Sequence, residues 1–287
     1  MHQRVASIVF ASIVAAALLC GACATPTPEV PMSAPAAAAP APVAVDAGVV
    51  SHVDVVGGTI AIEDHGGDGP LVLAVPGFGD LRSEYRFFAA TLQDAGYRVV
   101  TMDLRGHGDS YANFARYEAD DAADDVVAVL RHLDGGKAIV VGTSFGAAAV
   151  TAAAANAPDH TDRVVVFGPF VRDVELSMPM TLLVKVLFAG PWKTAAWVAY
   201  FDSLFPTTKP ADHAARLAAL KQNLGEPGRF DAVRAMMFAG RSRTAPLLSK
   251  VQAPVLVVMG SKDPDFKDPA GEAAAITALL TSTTTTT

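Results

Sequence analysis

The sequence predicts an α/β fold: a mostly parallel, doubly wound sheet carrying a helical insertion. Three observations predict it. Short apolar runs alternate with helix-like segments from about residue 48 to 170, and another run follows near residue 255. Strands alternating with helices give parallel sheets with right-handed crossovers. One run, Leu71–Val75, is continuously apolar, as in a strand buried on both faces. Between about 171 and 250 the alternation gives way to a helix-like stretch rich in aromatics, including Phe188, Trp192, Trp197, Tyr200, Phe201 and Phe205, which reads as an inserted lid.

The chain begins with an export signature. Arg4 precedes the apolar run Val5–Leu19, too short for a transmembrane helix, so residues 1–24 read as a signal segment. Ala22-Cys23-Ala24 fits a small-residue cleavage pattern. Leu19-Cys20-Gly21-Ala22-Cys23 resembles a bacterial lipobox with Cys23 as the lipidated residue, although Cys20 departs from the usual leucine. The expectation is a cell-envelope lipoprotein, whose one membrane contact is the N-terminal lipid; a secreted or periplasmic soluble protein is the alternative, and an uncleaved anchor is the third reading. Residues 25–47 are rich in proline and alanine, which favours an extended tether over a helix. The folded domain is expected at 48–280, with the lid at about 171–250, and residues 281–287 form a threonine-rich tail expected to be neither strand nor helix.

Within the domain, Val53–Ile62 reads as a hairpin turning at Gly57-Gly58. Ser83–Ala95 reads as a helix with Ser83 as its cap and Gly96 as its stop. Arg98–Leu104 is the next strand, Ala119–Leu133 a helix with acidic residues in its first half, Ala138–Val141 a strand, Phe145–Ala155 a helix, and Arg163–Phe167 and Val255–Met259 the remaining strands.

Composition excludes several classes. A net charge of −7 gives no basic footprint for nucleic acid. Both cysteines precede residue 24, which leaves the domain without a disulfide framework or a thiolate metal site, and the seven histidines form no HExxH pair. No metal or organic cofactor is implied.

The chemistry concentrates in Gly142-Thr143-Ser144-Phe145-Gly146, between an apolar strand and a small-residue helix. A Gly-x-Ser-x-Gly segment in that setting is a nucleophile elbow: a serine on a sharp, strained turn, with small residues two before and two after so that strand and helix can approach. Ser144 is the candidate nucleophile, Gly142 and Gly146 the elbow glycines. The loop Val75-Pro76-Gly77-Phe78-Gly79-Asp80 lies where an oxyanion hole belongs, with the backbone N–H groups of Phe78 and Phe145 as donors; Pro76 has no N–H to give.

These segments, with Asp103-Leu104-Arg105-Gly106-His107-Gly108-Asp109-Ser110 and the later VLVVMGSKDPDF, resemble the α/β-hydrolase superfamily over roughly Val53 to Ala274. Relatives usually carry His-Gly where this chain has Pro76-Gly77. The resemblance implies that His107 is structural and that Asp263 is the acid that orients a catalytic histidine, with Asp265 and Asp173 as rivals. It implies acyl transfer to water, best matched by an ester of a small or medium apolar acid; a serine at the elbow argues against relatives with an aspartate nucleophile. Esterase, lipase, peptidase and cofactor-free peroxidase activities share these motifs.

One element is missing. The order in this fold is serine, acid, histidine, yet no histidine follows Asp263; His2, His52, His65, His107, His132, His160 and His213 all precede it. The expectation is a truncated or frame-shifted hydrolase whose last strand and helix are absent, weak or inactive as written, with a non-catalytic envelope binding protein, or recruitment of His107 or His213 as base, as alternatives.

Overall fold

A computed structural model describes residues 48–173, 177–280 and 283–286. The signal segment, the tether and Cys23 lie outside the described residues.

Eight strands form one sheet in the order β1-β2-β4-β3-β5-β6-β7-β8. β1 (Val49–Val55) and β2 (Gly58–Asp64) make an antiparallel hairpin whose register pairs Val55 with Gly58. The turn is therefore Val56-Gly57 rather than Gly57-Gly58, and Gly57 supplies the positive φ it requires. β2 pairs antiparallel with β4 (Arg98–Met102). From there the sheet is parallel through β3 (Leu71–Val75), β5 (Ala138–Thr143), β6 (Thr161–Phe167) and β7 (Val255–Val258). All five residues of β3 are buried, as its unbroken apolar run requires.

Helices cover both faces. α1 (Arg86–Asp94) follows a 3₁₀ turn at Arg82–Tyr85, and Ser83 lies inside that turn instead of capping a helix. α2 (Ala119–His132) begins with a capping box in which Glu118 and Asp121 exchange side-chain-to-backbone hydrogen bonds. α3 (Phe145–Asn156) is buried along almost its whole length, so its alanines set how near it lies to the sheet.

Between β6 and β7 the alternation is interrupted by α4 (Met178–Leu187), α5 (Lys193–Ser203), α6 (His213–Gly225) and α7 (Arg229–Phe238). Their inner faces form a second apolar cluster built on Val184, Phe188, Trp197, Phe201, Leu220, Leu224, Phe230 and Val233, against which Phe78 packs.

The C-terminal part departs from expectation. Pro269–Leu279 is a helix, α8, whose N-cap Asp268 accepts the Gly271 amide. Thr283–Thr286 is a strand, β8, parallel to β7, with Val255 opposite Thr283 and Val258 opposite Thr286. The expectations that the last strand is absent and that the threonine-rich tail is neither strand nor helix are thus corrected; α8 precedes this strand and is not the helix expected after it. The physical reason is local: threonine is β-branched and favours extended backbone, and β7 otherwise presents unpaired N–H and C=O groups at the sheet edge.

Candidate active site

The carboxyl ends of β3, β5, β6 and β7 converge on one edge of the sheet, and the candidate residues lie on the loops that leave them. Ser144 follows β5 with φ 53° and ψ −114°. It is the single non-glycine residue with positive φ among the described residues, and at a residue carrying a Cβ that backbone is strained. The strain is held by packing and hydrogen bonds. A Cβ on Gly142 would lie 2.5 Å from the Gly146 carbonyl oxygen, and one on Gly146 would lie 2.4 Å from the carbonyl oxygens of Val75 and Pro76. Neither position admits a larger residue without moving backbone. The Ser144 N–H donates to the Phe167 carbonyl at 2.9 Å, and the Ser144 carbonyl accepts the Phe170 N–H at 3.2 Å. The elbow is thus tied to the end of β6 from both sides.

The loop after β3 faces the serine. A Cβ on Gly77 would lie 3.2 Å from the Ser144 Cβ. Next to it, the Phe78 ring packs edge-on to Phe145 at 6.0 Å and against Trp197 at 5.5 Å. Among the described residues, the N–H groups of Phe78 and Phe145 donate to no carbonyl or side chain. Two amides with free hydrogens beside a serine at a helix N-terminus are what an oxyanion requires.

His107 holds this loop in place. The Gly79 N–H donates to His107 Nε2 at 2.8 Å, so the ring proton is on Nδ1, which donates to the Arg105 carbonyl at 2.9 Å. Burial pushes its pKa down to about 4. With both nitrogens engaged, His107 cannot serve as a base. The rest of its segment is a closed polar knot. Asp103 accepts the N–H of Arg82 and of Asp109, and Ser110 Oγ bridges the Asp103 carbonyl and the Ala61 N–H. Arg105 grips Asp125 through two hydrogen bonds of 2.7 and 2.8 Å.

Asp263 lies on the loop after β7, with Oδ2 3.2 Å from where a Cβ on Gly168 would be. Gly168 follows β6, the strand next to the elbow's β5, and donates to the Val258 carbonyl at 2.9 Å, so Asp263 sits beside the end of that neighbouring strand. Its carboxylate accepts the Asp265 N–H at 3.0 Å, and burial raises its pKa. The two rivals are occupied. Asp265 accepts the Tyr200 hydroxyl at 2.9 and 2.7 Å, and burial pushes its pKa up to about 6. Asp173 accepts the Arg241 N–H.

The other described histidines are placed elsewhere. His213 Nε2 lies 2.7 Å from Asp202 in the insertion. His52 meets the Asp109 carbonyl and His65 the Thr101 hydroxyl, each at 3.2 Å. His132 ends α2 and His160 immediately precedes β6, both at the opposite edge of the sheet. No described histidine hydrogen-bonds to Ser144.

Sequence reading missed a buried charge cluster beside the oxyanion loop. Asp80 pairs with Arg216 of α6, and the Gly77 N–H donates to Glu84 at 3.4 Å. Burial and then the neighbouring Asp80 push the Glu84 pKa up to about 8. Behind it, Tyr85 Oη lies 2.7 Å from Thr143 Oγ1 and donates to the Val75 carbonyl at 2.9 Å. A lone acid in a helical pattern carries no signal of such a partner; a bonding geometry was needed to reveal it. The insertion also reaches down, with Trp197 Nε1–H donating to the Gly79 carbonyl at 2.9 Å.

Comparison with known proteins places this arrangement. A family model described as alpha/beta hydrolase fold matches residues 70–275. AB hydrolase superfamily protein YfhM of Bacillus subtilis (strain 168) is 27% identical over 138 residues, 47% of this chain and 46% of that protein. The 2-(acetamidomethylene)succinate hydrolase of Mesorhizobium japonicum is 35% identical over 134 residues, 46% of this chain and 48% of that protein. The chain thus spans about half the length of these relatives. The crystal structure of E-2-(acetamidomethylene)succinate hydrolase superposes with a TM-score of 0.66 at 26% identity, covering 83% of this chain and 90% of that one. A family match over more than two thirds of the chain, on a sheet of this order with a strained serine after β5, leads to one conclusion: this chain belongs to the α/β hydrolase fold family.

Proposed function

We propose that the chain is a serine hydrolase acting on carboxylic esters of small or medium apolar acids through an acyl-serine intermediate. The observation that carries this reading is the strained Ser144 backbone at the N-terminus of α3, opposite the unpaired Phe78 and Phe145 amides. In this reading Ser144 Oγ attacks the ester carbonyl, and the two amides hold the oxyanion. The alcohol leaves, and water then cleaves the acyl-serine to the free acid. Asp263 is the acid that would orient a histidine base. Beside the serine, the Phe78 ring packed on Phe145 and Trp197 makes an apolar flank that suits an apolar acyl group. Export by residues 1–24, a lipid on Cys23 and a tether at 25–47 belong to the same proposal; a diacylglyceryl mass on a mature N-terminal Cys23 tests them.

A second reading rests on one specific observation: no described histidine reaches Ser144. A triad without its histidine loses about a million-fold in kcat, with about a thousand-fold over water surviving from binding and the oxyanion hole. In that reading the same site binds a small molecule without turning it over. The test is p-nitrophenyl butyrate hydrolysis by the chain and by Ser144→Ala. A slow rate that Ser144→Ala abolishes supports the hydrolase. Equal rates in the two proteins, with retained binding of an ester analogue, support the binding protein.

A further inference from the structure

The outer face of α4 is apolar and exposed. Met178, Leu182 and Val186, spaced four residues apart on one side of the helix, are 84%, 64% and 54% exposed, and Trp192 just beyond it is 52% exposed. The row is 80° wide at 100° per residue, a continuous stripe rather than scattered contacts. Val184 and Phe188 on the opposite side are buried in the insertion's core. Residues 177–192 contain one charged side chain, Lys185. Its ammonium lies 5.6 Å from the ring of Phe238, itself exposed, which extends the patch onto the end of α7.

We infer that this face docks the insertion onto an anionic lipid surface. The charge distribution favours that occupant. Within an overall −7 chain, the charged side chains next to the stripe are the cations Lys185, on α4 itself, and Lys193, next to Trp192; Arg216 and Arg241 of the insertion are buried elsewhere. An apolar stripe with cations at its rim and a tryptophan at its edge has the composition of an interfacial helix. Ten residues of helix are about 15 Å long, half of a bilayer's hydrocarbon thickness, so α4 lies in the surface and does not cross it. A second copy fits less well: a two-fold contact on this face would bring Lys185 and Lys193 of both copies together. The inner face of α4 gives docking a route to the site. Phe188 packs on Trp197 at 5.6 Å, and Trp197 holds the Gly79 carbonyl and the Phe78 ring.

The surface does not depend on catalysis, and its test does not measure turnover. Trp192 is the reporter, read as the emission that Trp192→Phe removes, in the full chain carrying Cys23→Ala. Vesicles of phosphatidylglycerol with brominated acyl chains should blue-shift and quench that emission. Leu182→Glu combined with Val186→Glu should weaken partitioning at least tenfold, and Lys185→Glu or high salt should weaken it in part. Ser144→Ala should leave the response intact. Three results would overturn the inference: an unchanged Trp192 spectrum with vesicles, a full response in the double variant, or a blue shift that grows with protein concentration in the absence of lipid, which would mean that a second copy covers the face.

Discussion

The Gly79 amide donates to Nε2 of His107 at 2.8 Å, and this bond fixes the loop that carries the Phe78 amide. His107 is buried, and its pKa is pushed down to about 4 from a usual 6.5. Between these values the unfolded chain binds a proton that the folded chain refuses. Stability therefore rises with pH across that window and is lost as pH falls from about 6.5 to 4, by on the order of 3 kcal/mol. His107→Gln retains an acceptor for Gly79 but cannot titrate. Urea unfolding of the two proteins at pH 4.5 and pH 7.5 checks this: the advantage of the native histidine at pH 7.5 should shrink at pH 4.5. An equal difference at both values contradicts the assigned protonation.

Glu84 titrates in the opposite sense. Its pKa is raised to about 8 from 4.5 by burial and by Asp80, so the folded state keeps a proton that the unfolded chain releases. Its contribution is complete below about pH 4.5 and is lost as pH rises towards 8. Glu84→Gln mimics the neutral acid. It should match the native protein at pH 4.5 and exceed it in stability at pH 8.5, measured by the same unfolding experiment. A destabilised variant at pH 8.5 would show that the ionised Glu84 is favourably paired and that burial does not penalise it.

Gly146→Ala should destabilise the fold by about 1–3 kcal/mol, because the new methyl would meet two backbone carbonyls at 2.4 Å. Gly225→Ala, at the end of α6 with nothing within 4 Å of its Cβ, is the control and should be neutral or slightly stabilising. For a domain of this size the first change lowers Tm by roughly 2–4 °C per kcal/mol. A Gly146→Ala protein with unchanged Tm would mean that the elbow is less tightly packed than the structure shows.

Much of the fold was legible because it rests on local rules. The unbroken Leu71–Val75 run gave a buried strand with the same limits in the structure, and the alternation gave a mostly parallel sheet, though not its strand order. The elbow was legible because three backbones approach too closely at Gly142 and Gly146 for any side chain. What could not be read depends on partners distant in sequence. Asp265 and Asp263 look alike in the chain; only the approach of Tyr200, sixty-five residues earlier, separates them. Asp80 with Arg216 and Asp173 with Arg241 are pairings of the same kind. The threonine tail looked like neither strand nor helix, whereas β-branching and the open edge of β7 favour a strand.

In the proposed reading Ser144 is a nucleophile in a site prepared for an oxyanion, with no histidine positioned beside it among the described residues. Chemical rescue tests it most directly. Hydrolysis of p-nitrophenyl butyrate is measured with increasing imidazole, for the chain and for Ser144→Ala, after subtracting the reaction of imidazole alone. The native chain should show an imidazole-dependent rate that saturates with ester and is absent from Ser144→Ala. The same imidazole dependence in both proteins, or none in either, would contradict it.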